Sequence, residues 1–326
     1  MKSLYREYRP KTFNQVIGQD HIIKILQNQI KNNKIAHAYL FCGNRGTGKT
    51  TVAKIFSTMI VNSPQQQGNK AMLSLGLDIF EIDAASNNSV QDVRDIIDKV
   101  KYPPVSGKYK VYIIDEVHMF SSSAFNAFLK TLEEPPAHAI FILCTTEPHK
   151  LLPTVQSRCL RFDFRPASAE AIQKLLKDIL KKENIAASLE AVKLLAEAGC
   201  GSFRDALSFT ETVINYCGEK EITEDDVVTV LGTVSSETLK SLLTEIVNGN
   251  TKKITQICAE TFKKGINAGI LVKNFLSVIK AEFLKNPAVY GKIFKLFSEL
   301  ELSIKTSPDV FWQFENTCLL ASGVYA

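Results

Sequence analysis

One stretch constrains this chain more than any other: FCGNRGTGKTTVAKIF, Phe41 to Phe56. Gly43 to Thr50 satisfies G-x-x-x-x-G-K-[ST], with the apolar run IAHAYLF before it and a helical pattern, Thr51–Met59, after it. Glycines let backbone N–H groups turn inward, and the helix start adds its positive end, so both converge on one anion. Gly43, Asn44, Arg45, Gly46, Thr47, Gly48, Lys49, Thr50 and Thr51 are therefore expected to cradle a nucleotide's phosphates. Lys49 would reach the outer phosphates, and the Thr50 hydroxyl would ligate Mg²⁺. A glycine turn with a chance lysine would not bring strand, loop and helix signals into agreement.

The surrounding sequence supplies a sheet. LDIFEIDA (Leu77–Ala84), KVYIID (Lys110–Asp115) and AIFILCT (Ala139–Thr145) are short, nearly continuous apolar runs. Such runs mark parallel strands covered on both faces. Helical stretches at Ser89–Lys101 and Ser122–Leu132 alternate with them, which predicts a doubly wound α/β domain. Asp115 ends one strand where open α/β sheets hold ligands, and is expected to hold Mg²⁺ directly or through water. Glu116, pointing the other way, would orient an attacking water. No acceptor pocket for a kinase is apparent, so hydrolysis is the preferred chemistry. Thr145 and Thr146 close a third buried strand, next to the expected γ-phosphate. Arg158, in Ser157-Arg158-Cys159, reads on composition alone as an ordinary surface cation or a salt-bridge partner.

After Phe164 the strand signal stops. Ile172, Leu175, Leu176, Ile179 and Leu180 follow helical spacing, and a helix near Leu189–Ala198 is stopped by Gly199. Thr223 with Asp226 marks a helix start. Leu239, Leu242, Leu243 and Ile246 form one face of a helix ended by Gly249 and Asn250, and a further helix covers Ile270–Leu284. The expected organisation is an α/β domain over 1–165, a helical lid over 166–232 and an all-α collar over 233–326, within the two or three domains that 326 residues suggest. NSPQQQGN (Asn62–Asn69) reads as a surface loop. The chain has no membrane-length apolar run and no signal-peptide core in MKSLYREYRPKTF, so a cytoplasmic protein without a membrane partner is expected. Seven scattered cysteines read as free buried thiols, and a net charge of +5 permits nucleic-acid contact without demanding it.

Beyond these readings the motifs become specific in combination. YREYRPKTFNQVIGQDHI, GNRGTGKT, EIDAASNN, DEVHMFSSSAFNAFLKTLEEPP, TTEPHKLLPTVQSRC and GSFRDALS closely resemble the γ/τ clamp-loader subunits of bacterial DNA polymerase III, within the AAA+ superfamily. The resemblance is dense from residue 1 to about 232 and loose beyond. It implies an AAA+ P-loop core followed by a helical lid and an all-α collar. The implied function is an ATPase using ATP and Mg²⁺ to load a sliding clamp on primed DNA. Implied partners are delta- and delta-prime-type subunits, further copies of the chain, the clamp and primer–template DNA.

The resemblance also assigns roles. Thr146 falls on the sensor-1 position, Arg158 on the arginine finger acting in trans, and Arg204 on the sensor-2 position, reaching the γ-phosphate from the lid. Tyr5, Arg9, Pro10, Val16, Ile17 and Gly18 match adenine-side contacts. Arg94 and Lys130 match positions near helix N-termini that face the duplex backbone; for each, a solvated helix salt bridge is the competing reading. The chain departs from the family where a four-cysteine zinc module is usual. No Cys or His occurs in STMIVNSPQQQGNKAMLSLGLDIF, Ser63 stands where a first ligand is expected, and no zinc is predicted. It ends at Ala326, without the polymerase-binding tail of the τ form. Two rivals stay open: a non-hydrolysing structural subunit of the same fold, and a helicase-class motor suggested by the D-E-x-H look of DEVH.

Overall fold

The computed structural model describes residues 3–61, 77–105, 107–232, 234–263, 266, 268–304 and 309–323. The Asn62–Asn69 stretch and Ser63 lie outside the described residues. The chain divides into two compact units, one of Tyr5–Ala171 with Gly201–Arg204, the other of Ile172–Cys200 with Asp205–Ala326 and the first four residues.

The first unit is a five-stranded, wholly parallel sheet of order β2-β3-β4-β1-β5. Its strands are β1 (Ala38–Cys42), β2 (Ile79–Asp83), β3 (Lys110–Asp115), β4 (Ala139–Thr145) and β5 (Leu160–Asp163). Every residue of β1 and β4 is buried, which is why their sequences carry no polar alternation. Side chains still alternate between faces. Tyr39, Phe41, Val111, Ile113, Ile140 and Ile142 join one core with α2 (Asp20–Lys31) and α3 (Lys49–Val61). Leu40, Tyr112, Ile114, Phe141 and Leu143 join the other, with α4 (Val90–Val100) and α5 (Ser122–Glu133). There the Phe141 ring lies 5.6 Å from Tyr112 and 5.2 Å from Phe128, centroid to centroid. Ser89 and Asp92 form a capping box that starts α4, and Ser121 caps α5 by accepting from the Ala124 N–H. Two short helices complete this part of the chain, α1 (Leu4–Glu7) at its start and α6 (Pro153–Gln156) before β5.

β5 is a strand that the sequence did not announce. It is a four-residue edge strand pairing with β1 alone, and only Phe162 in it is buried, so its hydrophobic signal is one residue deep. From β1 the chain crosses to the far edge β2 and returns, leaving β4 between β3 and β1. The strand order thus reverses beside β1, and the carboxyl ends of β1, β3 and β4 open on one crevice.

The second unit is helical. It takes in α7 (Ala169–Lys182) from Ile172 onward, α8 (Leu189–Ala198), α9 (Phe203–Cys217) from Asp205 onward, and α10 (Glu224–Leu231). It continues through α11 (Ser236–Val247), α12 (Thr251–Lys263), α13 (Ala268–Glu282), α14 (Pro287–Ser303) and α15 (Val310–Gly323). Ile172, Leu176, Ile179 and Leu180 are the buried stripe of α7. Thr223 and Asp226 do form a capping box at the start of α10. Gly199 is a right-handed C-cap at φ −65°, and the left-handed stop falls on Cys200 at φ +45° and Gly201 at φ +81°. Leu239, Leu242, Leu243 and Ile246 are buried in a core where the rings of Phe275, Phe297 and Phe314 meet at 4.7–5.8 Å. α13 stops at Glu282 and gives way to a 3-10 turn, Phe283–Lys285, because Asn286 precedes a proline and is extended at φ −152°. No helix among the described residues is long and apolar enough to cross a membrane. All seven cysteines are free; Cys200 is exposed rather than buried, and Cys159 and Cys217 are half-buried.

Candidate nucleotide site

The loop between β1 and α3 needs glycine for two separate reasons. Gly43 runs at φ +148°, and a Cβ there would sit 2.6 Å from the Phe164 carbonyl oxygen. Gly46 is left-handed at φ +75°, and a Cβ would overlap the Ser202 Oγ. The Phe203 N–H donates to the Gly46 carbonyl at 3.2 Å, so the loop is stitched to the start of α9 within the same unit. Thr47 is buried and its hydroxyl donates to the Asn44 carbonyl at 2.8 Å, while Asn44 and Arg45 are exposed.

Lys49 is buried and its Nζ donates to the Gly43 and Asn44 carbonyls at 2.8 and 3.0 Å. Burial holds its ammonium below the ordinary lysine range, and the carboxylates of Glu116 and Asp115 pull the other way. A desolvated cation capped only by loop carbonyls is suited to receive an anion. The Thr50 hydroxyl donates to Asp115 Oδ2 at 2.7 Å, so the helix start and the end of β3 present oxygen donors together. Such hard oxygens suit Mg²⁺. Burial also raises the neighbouring thiols, Cys42 to about 11 and Cys144 well above the usual value, which leaves both neutral.

Glu116 leaves the sheet in a left-handed turn at φ +48°, an unusual geometry for a side-chain-bearing residue. Its Oε2 accepts from the Thr146 hydroxyl at 3.0 Å and the Thr146 N–H at 3.3 Å. Lys49, Thr50, Asp115, Glu116 and Thr146 are therefore gathered at the carboxyl ends of three strands.

Other expected residues sit around this centre. The Arg9 guanidinium donates to Thr51 Oγ1 at 3.0 Å, tying the N-terminal segment to α3. Pro10, Val16 and Ile17 are half-buried, Val16 against the core under β1, and Gly18 is exposed at φ +79°. Arg204 is exposed, 5.9 Å from the Tyr5 ring centroid, with its Cβ beside Gly46. Gln19, almost fully buried, brackets Arg165, donating to its carbonyl at 2.7 Å and accepting from its N–H at 3.3 Å. The same amide leans on the Thr47 carbonyl at 3.5 Å.

Three expected cations are engaged or placed elsewhere. Arg158 pairs with Glu133 at 2.6 Å and donates to the Thr154 carbonyl at 2.8 Å. Arg94 is exposed on α4; its neighbours Asp92 and Asp95 bond to Ser89 and Gln91, and neither is paired with Arg94 among the described residues. Lys130 is exposed in the last turn of α5, not near a helix N-terminus, and Glu133 is taken by Arg158. Sequence reasoning did not find Gln19, Ser202, Glu133 or the surroundings of His118. For the last, the DEVH tetrapeptide carries the family resemblance but no sign of what its histidine touches.

Comparisons with known proteins bear on the family. The family "DNA polymerase III, delta subunit" matches residues 18–168, and the "DNA polymerase III clamp loader subunit, ATPase lid domain" matches 171–219. The family "DNA polymerase III subunits gamma and tau domain III" matches 222–286. DNA polymerase III subunit tau of Bacillus subtilis is 42% identical over 284 residues, 84% of this chain and 50% of its own length. DNA polymerase III subunit gamma of Buchnera aphidicola from Schizaphis graminum is 35% identical over 92% of this chain and 85% of its own length. The chain thus spans about half the length of the tau relatives and most of that of the gamma relative. Among solved structures, the Thermotoga maritima RuvB Holliday junction branch migration motor superposes with a TM-score of 0.56 at 19% identity, over 85% of this chain and 92% of RuvB. That likeness speaks to the fold alone.

Proposed function

The chain belongs to the family of DNA polymerase III gamma and tau subunits, and from that premise we propose that it is an ATP-hydrolysing subunit of a sliding-clamp loader. What carries the reading is the gathering of Lys49, the Thr50–Asp115 pair and the Thr146-held Glu116 in one crevice. A non-hydrolysing scaffold would have no use for all of them.

In this proposal Gly43 to Thr51 hold the triphosphate of ATP, with Lys49 on its outer phosphates. Tyr5, Arg9, Pro10, Val16, Ile17 and Gly18 flank the adenine side. Thr50 and Asp115 would hold Mg²⁺, which when bound neutralises phosphate charge. Glu116 accepts a proton from, or orients, the attacking water, and Thr146 sets its direction. Arg204 answers to the γ-phosphate from the start of α9. Arg158 of a neighbouring subunit completes the site by stabilising charge on the departing phosphoryl group.

The proposed partners are delta- and delta-prime-type subunits, further copies of this chain, a sliding clamp and primer–template DNA. Arg94 and Lys130 are offered as duplex-backbone contacts, since phosphate contacts position a protein without reading sequence. The reading carries a cytoplasmic location, no zinc requirement, and three parts: a P-loop core over 1–165, a lid over 166–232 and a collar over 233–326. The first family match ends at 168, near the proposed end of the core.

The test is reconstitution with clamp-loader partners, clamp and primed DNA. Expected is ATP turnover stimulated by DNA and clamp, and clamp deposition that Glu116→Gln abolishes while leaving nucleotide bound. Turnover without clamp loading, or strand separation with no clamp present, would overturn it.

A further inference from the structure

His118 is the residue of DEVH that the proposed chemistry leaves unused, yet it is the most heavily bonded side chain beside Glu116. Its side chain is 7% exposed. Nε2 lies 3.0 Å from Glu147 Oε2, and Nδ1 lies 3.0 Å from Thr145 Oγ1 and 3.5 Å from Glu116 Oε2.

Both ring nitrogens are engaged. Nε2 faces the Glu147 carboxylate, which its hydrogen bond from the Lys150 ammonium holds below the usual carboxylate range. Nδ1 shares a hydrogen bond with the Thr145 hydroxyl, which also accepts from the Glu147 N–H at 3.0 Å. Thr145 is thus tied to the ring on one side and to the Glu147 backbone on the other, while Glu116 is held by the two Thr146 donors.

We propose that His118 is a positioning residue for hydrolysis: through Thr145 it fixes the end of β4, so that Thr146 aims the Glu116 carboxylate at the attacking water. This rests on the reading of Glu116 as the group that orients water. The chain of contacts is short and buried. Thr145 is fully buried, and Glu116 sits on a left-handed backbone with little freedom to compensate if Thr146 moves. His118 touches no reacting atom in this scheme. Its effect belongs to turnover and not to nucleotide affinity.

The experiment compares variants of the full chain, assembled with its clamp-loader partners on primed DNA, by kcat and by equilibrium binding of a fluorescent ATP analogue. His118→Leu keeps bulk and removes both nitrogens; it should lower kcat by roughly ten- to a hundredfold and leave the analogue's Kd within about twofold. His118→Asn, whose amide can hydrogen-bond the Thr145 hydroxyl in place of Nδ1, should regain part of the loss. Thr145→Val should reproduce the His118→Leu defect, Thr145→Ser should not, and combining Thr145→Val with His118→Leu should add nothing further.

Wild-type kcat in His118→Leu, no advantage of Asn over Leu, or additive losses in the double variant would each overturn the proposal. If His118→Leu fails to fold, the Thr145 pair decides alone. Glu116→Gln separates the two levels. Full turnover in that variant removes the hydrolytic reading itself, whereas blocked turnover there with normal His118→Leu removes only this inference.

Discussion

Thr50 and Asp115 lie 65 positions apart and meet in a hydrogen bond of 2.7 Å, hydroxyl to carboxylate. The contact binds the first turn after the phosphate loop to the end of β3. It places two oxygen donors side by side at the mouth of the crevice. Asp115→Asn or Thr50→Val should therefore weaken ATP binding in magnesium far more than in EDTA. Nucleotide titrations with and without the metal measure the difference; equal losses in both would argue against a metal role.

Lys49 gives a pH dependence whose sign follows from its burial. The folded site disfavours the ammonium, so Lys49 loses its proton below the ordinary lysine value of 10.5. Triphosphate binds the protonated form. Affinity should hold at neutral pH and fall as pH rises through the depressed value, by about tenfold per unit beyond it. Binding in that alkaline range should take up a proton, visible in calorimetry across buffers of different ionisation heat. Affinity flat up to pH 10.5 would contradict the account.

Arg158 is held in its own chain by Glu133, in a pair whose side chains are 34% and 46% exposed. Exposed pairs contribute only about 0–1 kcal/mol, so the guanidinium can exchange Glu133 for a neighbour's nucleotide. Arg158→Ala should spare nucleotide binding and lower turnover of the assembled complex on the order of 10³-fold. Glu133→Ala should fold normally and alter turnover little. Full DNA-stimulated activity in the Arg158 variant would exclude action in trans.

Phe141 tests the sheet's packing. It is fully buried on β4 between the Tyr112 and Phe128 rings. Phe141→Ala should cost about 3–5 kcal/mol, read from denaturant unfolding.

What the sequence made legible followed from signal depth. β1, β3 and β4 are buried on both faces, so their apolar runs stand out, and the glycine loop is local by nature. The Thr223–Asp226 and Ser89–Asp92 caps are equally local, three residues apart, and Thr223–Asp226 was readable as a helix start. β5 was hidden because an edge strand with one inward residue leaves no pattern. The surroundings of Glu116 were hidden for another reason. His118, Thr145 and Glu147 meet only because β3 and β4 are neighbours in the sheet, and a left-handed turn at Glu116 swings its carboxylate toward them. The Arg158–Glu133 pair, likewise, joins α5 to the turn before β5 and has no spacing to betray it.

Gln19 carries a practical corollary. One carboxamide holds both backbone polar groups of Arg165 and rests on the Thr47 carbonyl. The fastener is made of a donor and an acceptor on the same side chain, so it can be cut by halves. Exchanging the amide for an acid would remove the grip on both carbonyls while keeping the shape of the side chain. An engineer could thus loosen the chain leaving the sheet and the phosphate loop at Thr47 together, through a residue that lies outside that loop.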